Sequence, residues 1–158
     1  MISAALGLLA AFADISLATA EPAASTEVKL VQGRSNTATL QSAGRRYVAV
    51  VTVRAVHPDD FLARRMAGAR SQIADLVVTA DSERIAVPLS AIADGYDPVS
   101  LRMVASKTGV VIAIAGSDGA DGYSLEVTVD GDRVNGRRVL IAGDHVAEET
   151  RYRQVVVD

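Results

Sequence analysis

The chain has 158 residues, of which 49% are hydrophobic and 22% charged, with a formal net charge of −3. A chain of this size and composition is a globular domain that buries roughly two thirds of its unfolded surface, so it needs no disulfide or structural metal. It contains no cysteine, which excludes disulfides, thiol nucleophiles and thiolate metal sites together. The acidic balance and only six aromatic residues argue against a nucleic-acid binder, which carries a basic face and stacking platforms.

In chain order, the first feature is the almost continuously apolar run from Ile2 to Phe12, followed by Ala18-Thr19-Ala20 and then Glu21-Pro22. The run has the length of a signal-peptide core and is too short to span a bilayer. The small-x-small triplet marks a cleavage site after Ala20. The expected organisation is a signal peptide over 1–20, a linker over 21–25, and a single β-rich domain over 26–158. Cleavage would deliver the mature chain to the periplasm or outside the cell, with no membrane span.

From there, short β-prone runs alternate with turn residues, the signature of an antiparallel sandwich or barrel-like sheet. Glu27 to Gln32 opens the series, and Thr37 to Gln41 is a weaker candidate. Arg46 to Val56 is rich in β-branched residues with little polarity on either face, which predicts a central strand buried on both sides. Pro58 to Ala67 is the one predicted helix: Pro suits the first helical position, Asp59 and Asp60 face the positive end of the dipole, and Arg64 and Arg65 follow in later turns. A single turn is predicted from Ser90, as cap, to Asp94, with Gly95 as stop.

The later strands are predicted as hairpins. Leu76 to Ala80 and Arg84 to Val87 flank Asp81-Ser82-Glu83; Leu101 to Ser106 and Val110 to Ala115 flank Lys107-Thr108-Gly109, with the glycine available for positive φ. Tyr123 to Val129 and Arg133 to Ile141 flank Asp130-Gly131-Asp132, a strong hairpin signal. Thr150 to Val157 closes the domain. The fold class is therefore all-β, about nine strands, with one short helix.

Among residues that carry chemistry, His57-Pro58-Asp59-Asp60 follows the strongest strand. It resembles the His-Pro-Asp-Asp signature of zinc-dependent deacetylases of the LmbE-like family. The resemblance implies zinc ligands at His57 and Asp60, a general base at Asp59, and a further ligand for which His145 is the available histidine. Catalytic zinc takes three protein ligands and leaves one position for water. Read from the residues alone, Pro58 and the two aspartates simply begin a helix. The acidic stretches Ser117 to Gly122 and Asp130-Gly131-Asp132 with Asn135-Gly136 lack the ligand spacing of a calcium loop and read as turns.

Fourteen of the sixteen basic residues are Arg. Arg137, Arg138, Arg151 and Arg153 concentrate near the carboxyl end beside Glu148 and Glu149. Guanidinium groups recognise carboxylate or phosphate bidentately, so the four are anion-binding candidates; equally, they serve as cross-strand partners of the acids. There is no G-x-S-x-G elbow, Walker loop, G-x-G-x-x-G or H-E-x-x-H.

The residues point first to a non-catalytic binding or structural protein of the cell envelope. Its partner would be an envelope protein or a small anionic ligand, with no nucleic acid, no cofactor, and homodimerisation through an edge strand as a further option. The alternative is a small metal-dependent hydrolase using His57, Asp59, Asp60 and His145.

Overall fold

The computed structural model describes residues 23–57, 68–118, 121–142 and 144–153. The signal segment over 1–20, the helix expected over 58–67 with Asp59 and Asp60, and the last part of the expected closing strand lie outside the described residues.

The described chain is all-β. Its strands are β1 (Ser25–Lys29), β2 (Ser35–Ser42), β3 (Arg45–Ala55), β4 (Ser71–Ala80), β5 (Glu83–Ile85), β6 (Pro98–Ala105), β7 (Gly109–Asp118), β8 (Asp121–Asp130), β9 (Arg133–Ile141) and β10 (His145–Arg151). They form two antiparallel sheets, one of six strands in the order β1-β6-β7-β8-β9-β10 and one of four in the order β2-β3-β4-β5. Ser25, read from sequence as the end of a linker, is the first residue of β1 and pairs with Val104.

Period-two alternation decides which side chains are buried. On β2, Asn36, Ala38, Leu40 and Ser42 point inward while their neighbours are exposed; on β3, Tyr47, Ala49, Val51 and Val53 do the same. From the six-stranded sheet, Leu101 and Met103 meet Val110, Ile112 and Ile114, then Leu125, Val127 and Val129, all 1% exposed or less. The core is one contiguous aliphatic layer between the sheets. β3 is central in its sheet, but its outer face, with Val48, Val50 and Thr52, is only half-buried. The expectation of burial on both sides is corrected, because no layer covers that face among the described residues.

Turn chemistry fixes the hairpins. Ala43-Gly44 and Asp81-Ser82 each place two successive residues at positive φ, the conformation of the tight turn whose twist matches the strands it joins. The Asp81 carboxylate steadies its own turn by accepting from Arg45 Nε at 2.9 Å and from the Arg46 N–H at 2.8 Å. Gly109 has a different task from the one its sequence suggests. It is not among the positive-φ residues, and a Cβ there would stand 2.1 Å from the Val129 carbonyl oxygen. Close approach of β7 to β8 requires the glycine.

Several boundaries differ from the sequence reading: β4 begins at Ser71, five residues before the expected Leu76, and β2, β6, β7 and β8 also start earlier than expected. The 3-10 turn spans Leu89–Ala91 with Pro88 at its cap position and no side-chain cap, so Ser90 lies inside it. The final strand begins at His145, five residues before the expected Thr150. A bulge between Val146 and Glu148, and exposure on both faces, leave no alternation to read.

The two sides of the sandwich are built differently. Beside β1 and β2, inward side chains of β2 hold both the connection from β1 and the facing sheet. Asn36, buried, donates to the Val31, Arg34 and Val51 carbonyls and accepts from the Val31 N–H. Ser42 Oγ reaches the Ser106 and Gly109 carbonyls at 3.2 and 2.5 Å. On the other side the larger sheet overhangs: every β10 side chain except the partly buried Thr150 is exposed.

Candidate binding site

The overhanging margin carries the arginines that the sequence singles out. Pairing in the larger sheet sets Val127, Arg137 and Thr150 in one row on the inner face, and Glu126, Arg138 and Glu149 in one row on the outer face. Arg137 thus occupies a core-facing position and is 3% exposed. It donates through Nη2 to Asp94 Oδ2 at 2.7 Å and through Nη1 to Glu148 Oε1, while its Nε has no hydrogen-bond partner. A buried guanidinium needs such compensation, since desolvating an unpaired charge costs several kcal/mol, on the order of the whole Coulomb gain. Asp94 arrives from the segment after the 3-10 turn, so the ion triad ties β9, β10 and that segment together.

The other three candidates have different surroundings. Arg138 grips Glu126 Oε2 through Nε and Nη2 at 3.2 and 2.6 Å. Arg151 pairs with Glu149 Oε1 at 3.0 Å on the same strand. Arg153 and Arg133 are exposed and make no ion pair with another described residue. The cross-strand pairing expected of edge charges is therefore present for Arg137 and Arg138, and a same-strand pair stands in for it at Arg151.

Two clefts meet at this margin. One, of about 540 Å³, is lined by Thr128, Asn135, Arg138, Thr150, Arg151 and Arg153, among others. Gly136 is part of its wall. The second, of about 510 Å³, is lined by Ala86, Asp132, Arg133, Val134, Asn135, Tyr152 and Arg153. Asn135, Tyr152 and Arg153 line both.

The shared wall is held in place from several directions. The Tyr152 N–H donates to the Asn135 carbonyl at 2.9 Å, and Tyr152 Oη lies 3.2 Å from Ser90 Oγ. Asn135 Nδ2 donates to Asp130 Oδ2 at 2.6 Å, and Thr108 Oγ1 donates to Asp130 Oδ1 at the same distance. Asp130 thus organises the hairpin ends, the turn role that its Asp-Gly setting predicts. The clefts present guanidinium, amide and hydroxyl donors, which suit a carboxylate or phosphate. Asp132 and Glu149 are the acids on their walls.

His57 follows β3 of the smaller sheet, and His145 opens β10 at the margin of the larger one. These two elements do not pair. Among the described residues, no group of three or more His, Asp and Glu side chains is placed to hold a metal ion. Sequence reasoning missed Asp94 and Asn135. Asp94 is brought to Arg137 only by tertiary folding, while Asn135 followed by Gly136 reads as an ordinary turn.

No protein-family model, curated protein or solved structure matches the chain.

Proposed function

We propose that the chain is an exported, non-catalytic binding module of the cell envelope, which holds an anionic group of its ligand at the carboxyl-end margin of the larger sheet. The observation that carries the reading is the position of Arg153. It is exposed, lacks an ion-pair partner among the described residues, and lines both clefts, with Arg133 in the second cleft in the same situation. Arg138 and Arg151 already face acids of this chain, so an incoming carboxylate or phosphate would be met first by Arg153 and Arg133. The donors around them complete its hydrogen bonding. Export rests on the apolar run before Ala20, and no described helix is long and apolar enough to cross a membrane.

The test uses inorganic phosphate and succinate as probes in a titration followed by backbone and arginine Nε resonances. Saturable shifts at Arg133, Asn135, Tyr152 and Arg153, weakened at least about tenfold in Arg153→Ala and falling with added salt, are expected. Shifts spread over all arginines without saturation would overturn the reading. Mass spectrometry of the envelope fraction is expected to find a chain beginning at Glu21; retention of residues 1–20 on a cytosolic protein would refute export.

A further inference from the structure

The outer margin of β10 is a row of backbone groups facing away from the sheet. Their direction follows from one bond. The Tyr152 N–H donates to Asn135 in β9, so by strict alternation Thr150 and Tyr152 point their backbone groups at β9, while Glu149 and Arg151 point theirs outward. No backbone hydrogen bond reaches those outward groups from another described residue. An open edge of this kind is a template for another strand.

We propose that the strand it accepts is β10 of a second copy, antiparallel, about a two-fold axis through Thr150. The charge pattern on the outer face selects this partner. Along one row the pairing runs Glu27, Arg102, Ala113, Glu126, Arg138, Glu149, so that the charges alternate in sign on either side of Ala113 and the row ends on an acid. The next position calls for a base. A two-fold axis at Thr150 supplies it, setting Glu149 beside Arg151 of the second copy and Arg151 beside Glu149 of the second copy.

The backbone agrees with the side chains, because Glu149 and Arg151 are the residues with outward N–H and C=O groups. The two symmetric pairs therefore form four backbone hydrogen bonds and two ion pairs. Moving the axis to Glu149 sets that glutamate against itself, and moving it to Arg151 does the same for the arginine. Opposed like charges destabilise a pair of strands, so the sequence Glu-Thr-Arg selects one register. The bulge at Val146 and Glu148 lies outside the paired centre. The result is an isologous dimer with one continuous twelve-stranded sheet.

The intrachain contact between Arg151 and Glu149 is exchanged for two equivalent contacts across the axis. Neither export nor a bound anion enters the argument, so the dimer is tested on the full chain without ligand. The failure of one proposal leaves the other standing.

At the axis Thr150 faces its own copy in a non-hydrogen-bonded pair, with a Cα separation of about 4.5 Å, inside the range a disulfide spans. The chain has no cysteine of its own. Thr150→Cys is therefore expected to give a disulfide-linked dimer under mild oxidation, while Glu148→Cys, displaced along the strand from its mate, is not. Sedimentation from about 10 μM to about 1 mM should show a monomer–dimer equilibrium, weakened roughly ten- to a hundredfold by Arg151→Glu and restored by combining Arg151→Glu with Glu149→Arg. Amide exchange at Glu149 and Arg151 should slow with concentration, and at no other β10 position. A chain that stays monomeric across this range overturns the proposal. So does a dimer that Thr150→Cys fails to lock, or one indifferent to Arg151→Glu, since each places the contact elsewhere. Capture of a heterologous strand on β10 in preference to the second copy overturns it as well.

Discussion

The side of the sandwich at β1 and β2 and the margin at β9 and β10 solve the same problem in opposite ways. Each must finish a sheet whose last strand has one unpaired edge. At β2, neutral side chains turn inward and bond to backbone: Asn36 makes four contacts that pin the connection from β1 against β3 of its own sheet, and Ser42 spans to the turn between β6 and β7 in the facing sheet. At β10, charge does the work, through a single buried guanidinium tied to two carboxylates that remain half in water. Cohesion on the first side is part of the core. Cohesion on the second adds this ion triad to the packing of Val134, Val139 and Tyr152 against the core, and leaves the outer edge of β10 unpaired.

The largest effect is expected where the closed side has no slack. Gly109→Ala would push a Cβ into the Val129 carbonyl oxygen, which belongs to backbone and cannot move aside. Destabilisation of at least about 3 kcal/mol is expected in a urea midpoint measurement. A shift below about 1 kcal/mol would show that β7 and β8 separate freely.

Next comes Asn36→Ala, which removes four hydrogen bonds, the one to the Val51 carbonyl buried and those to Val31 and Arg34 part-buried. The expected loss is about 2–3 kcal/mol with the whole unfolding transition displaced, since the connection from β1 loses its anchor on β2 and β3. Arg137→Met should cost less, about 1–2 kcal/mol. Asp94 and Glu148 are 59% and 50% exposed and regain water when the guanidinium goes. The signature should also be local: amide exchange at Thr150 and Tyr152 rises while that of β7 and β8 is little changed. Equal, global losses from Asn36→Ala and Arg137→Met would erase the distinction between the two sides.

The smallest effect concerns the turn between β4 and β5, on the margin of the smaller sheet. Hydrogen bonds from the Arg46 N–H and the Arg45 guanidinium hold the Asp81 carboxyl below its ordinary pKa. A depressed carboxylate adds stability that is present above the unfolded-state value of about 3.9 and lost as pH falls through the folded value. Asp81→Asn should therefore lower the thermal midpoint slightly at neutral pH. That gap should close below about pH 3.9. A gap that persists under acid would mean that the turn does not depend on the charge.

Much of this architecture is legible in the chain because alternation survives wherever one face is dry. Leu125, Val127 and Val129 against Glu126 and Thr128 identify β8 without further help. β10 shows the limit. His145 to Arg151 is wet on both faces and bulged at Ala147, so neither alternation nor apolar content marks its start. Gly109 shows another limit, since its composition signal is the same whether a glycine supplies positive φ or lets two backbones meet. Of the candidate site, the arginines were visible as a cluster. What separates Arg137 from Arg153, one consumed by the core and the other exposed, depends on which face each occupies, and that is set by pairing across strands.

The pairing of β1 with β6 has a temporal consequence. Every other neighbour within the sheets is next to its partner in sequence, so hairpins from β2 to β5 and from β6 to β10 form by local search. β1 must wait, because Ser25 meets Val104 only after the intervening chain has been made and folded. Loop closure over that span is slow relative to hairpin formation. Until it happens, the backbone edge of β6 that β1 will pair is left bare. The first of the described strands is thus the last to be paired. The kinetically exposed surface of this protein is not the β10 margin it carries when mature but the β6 edge, which it displays only while young.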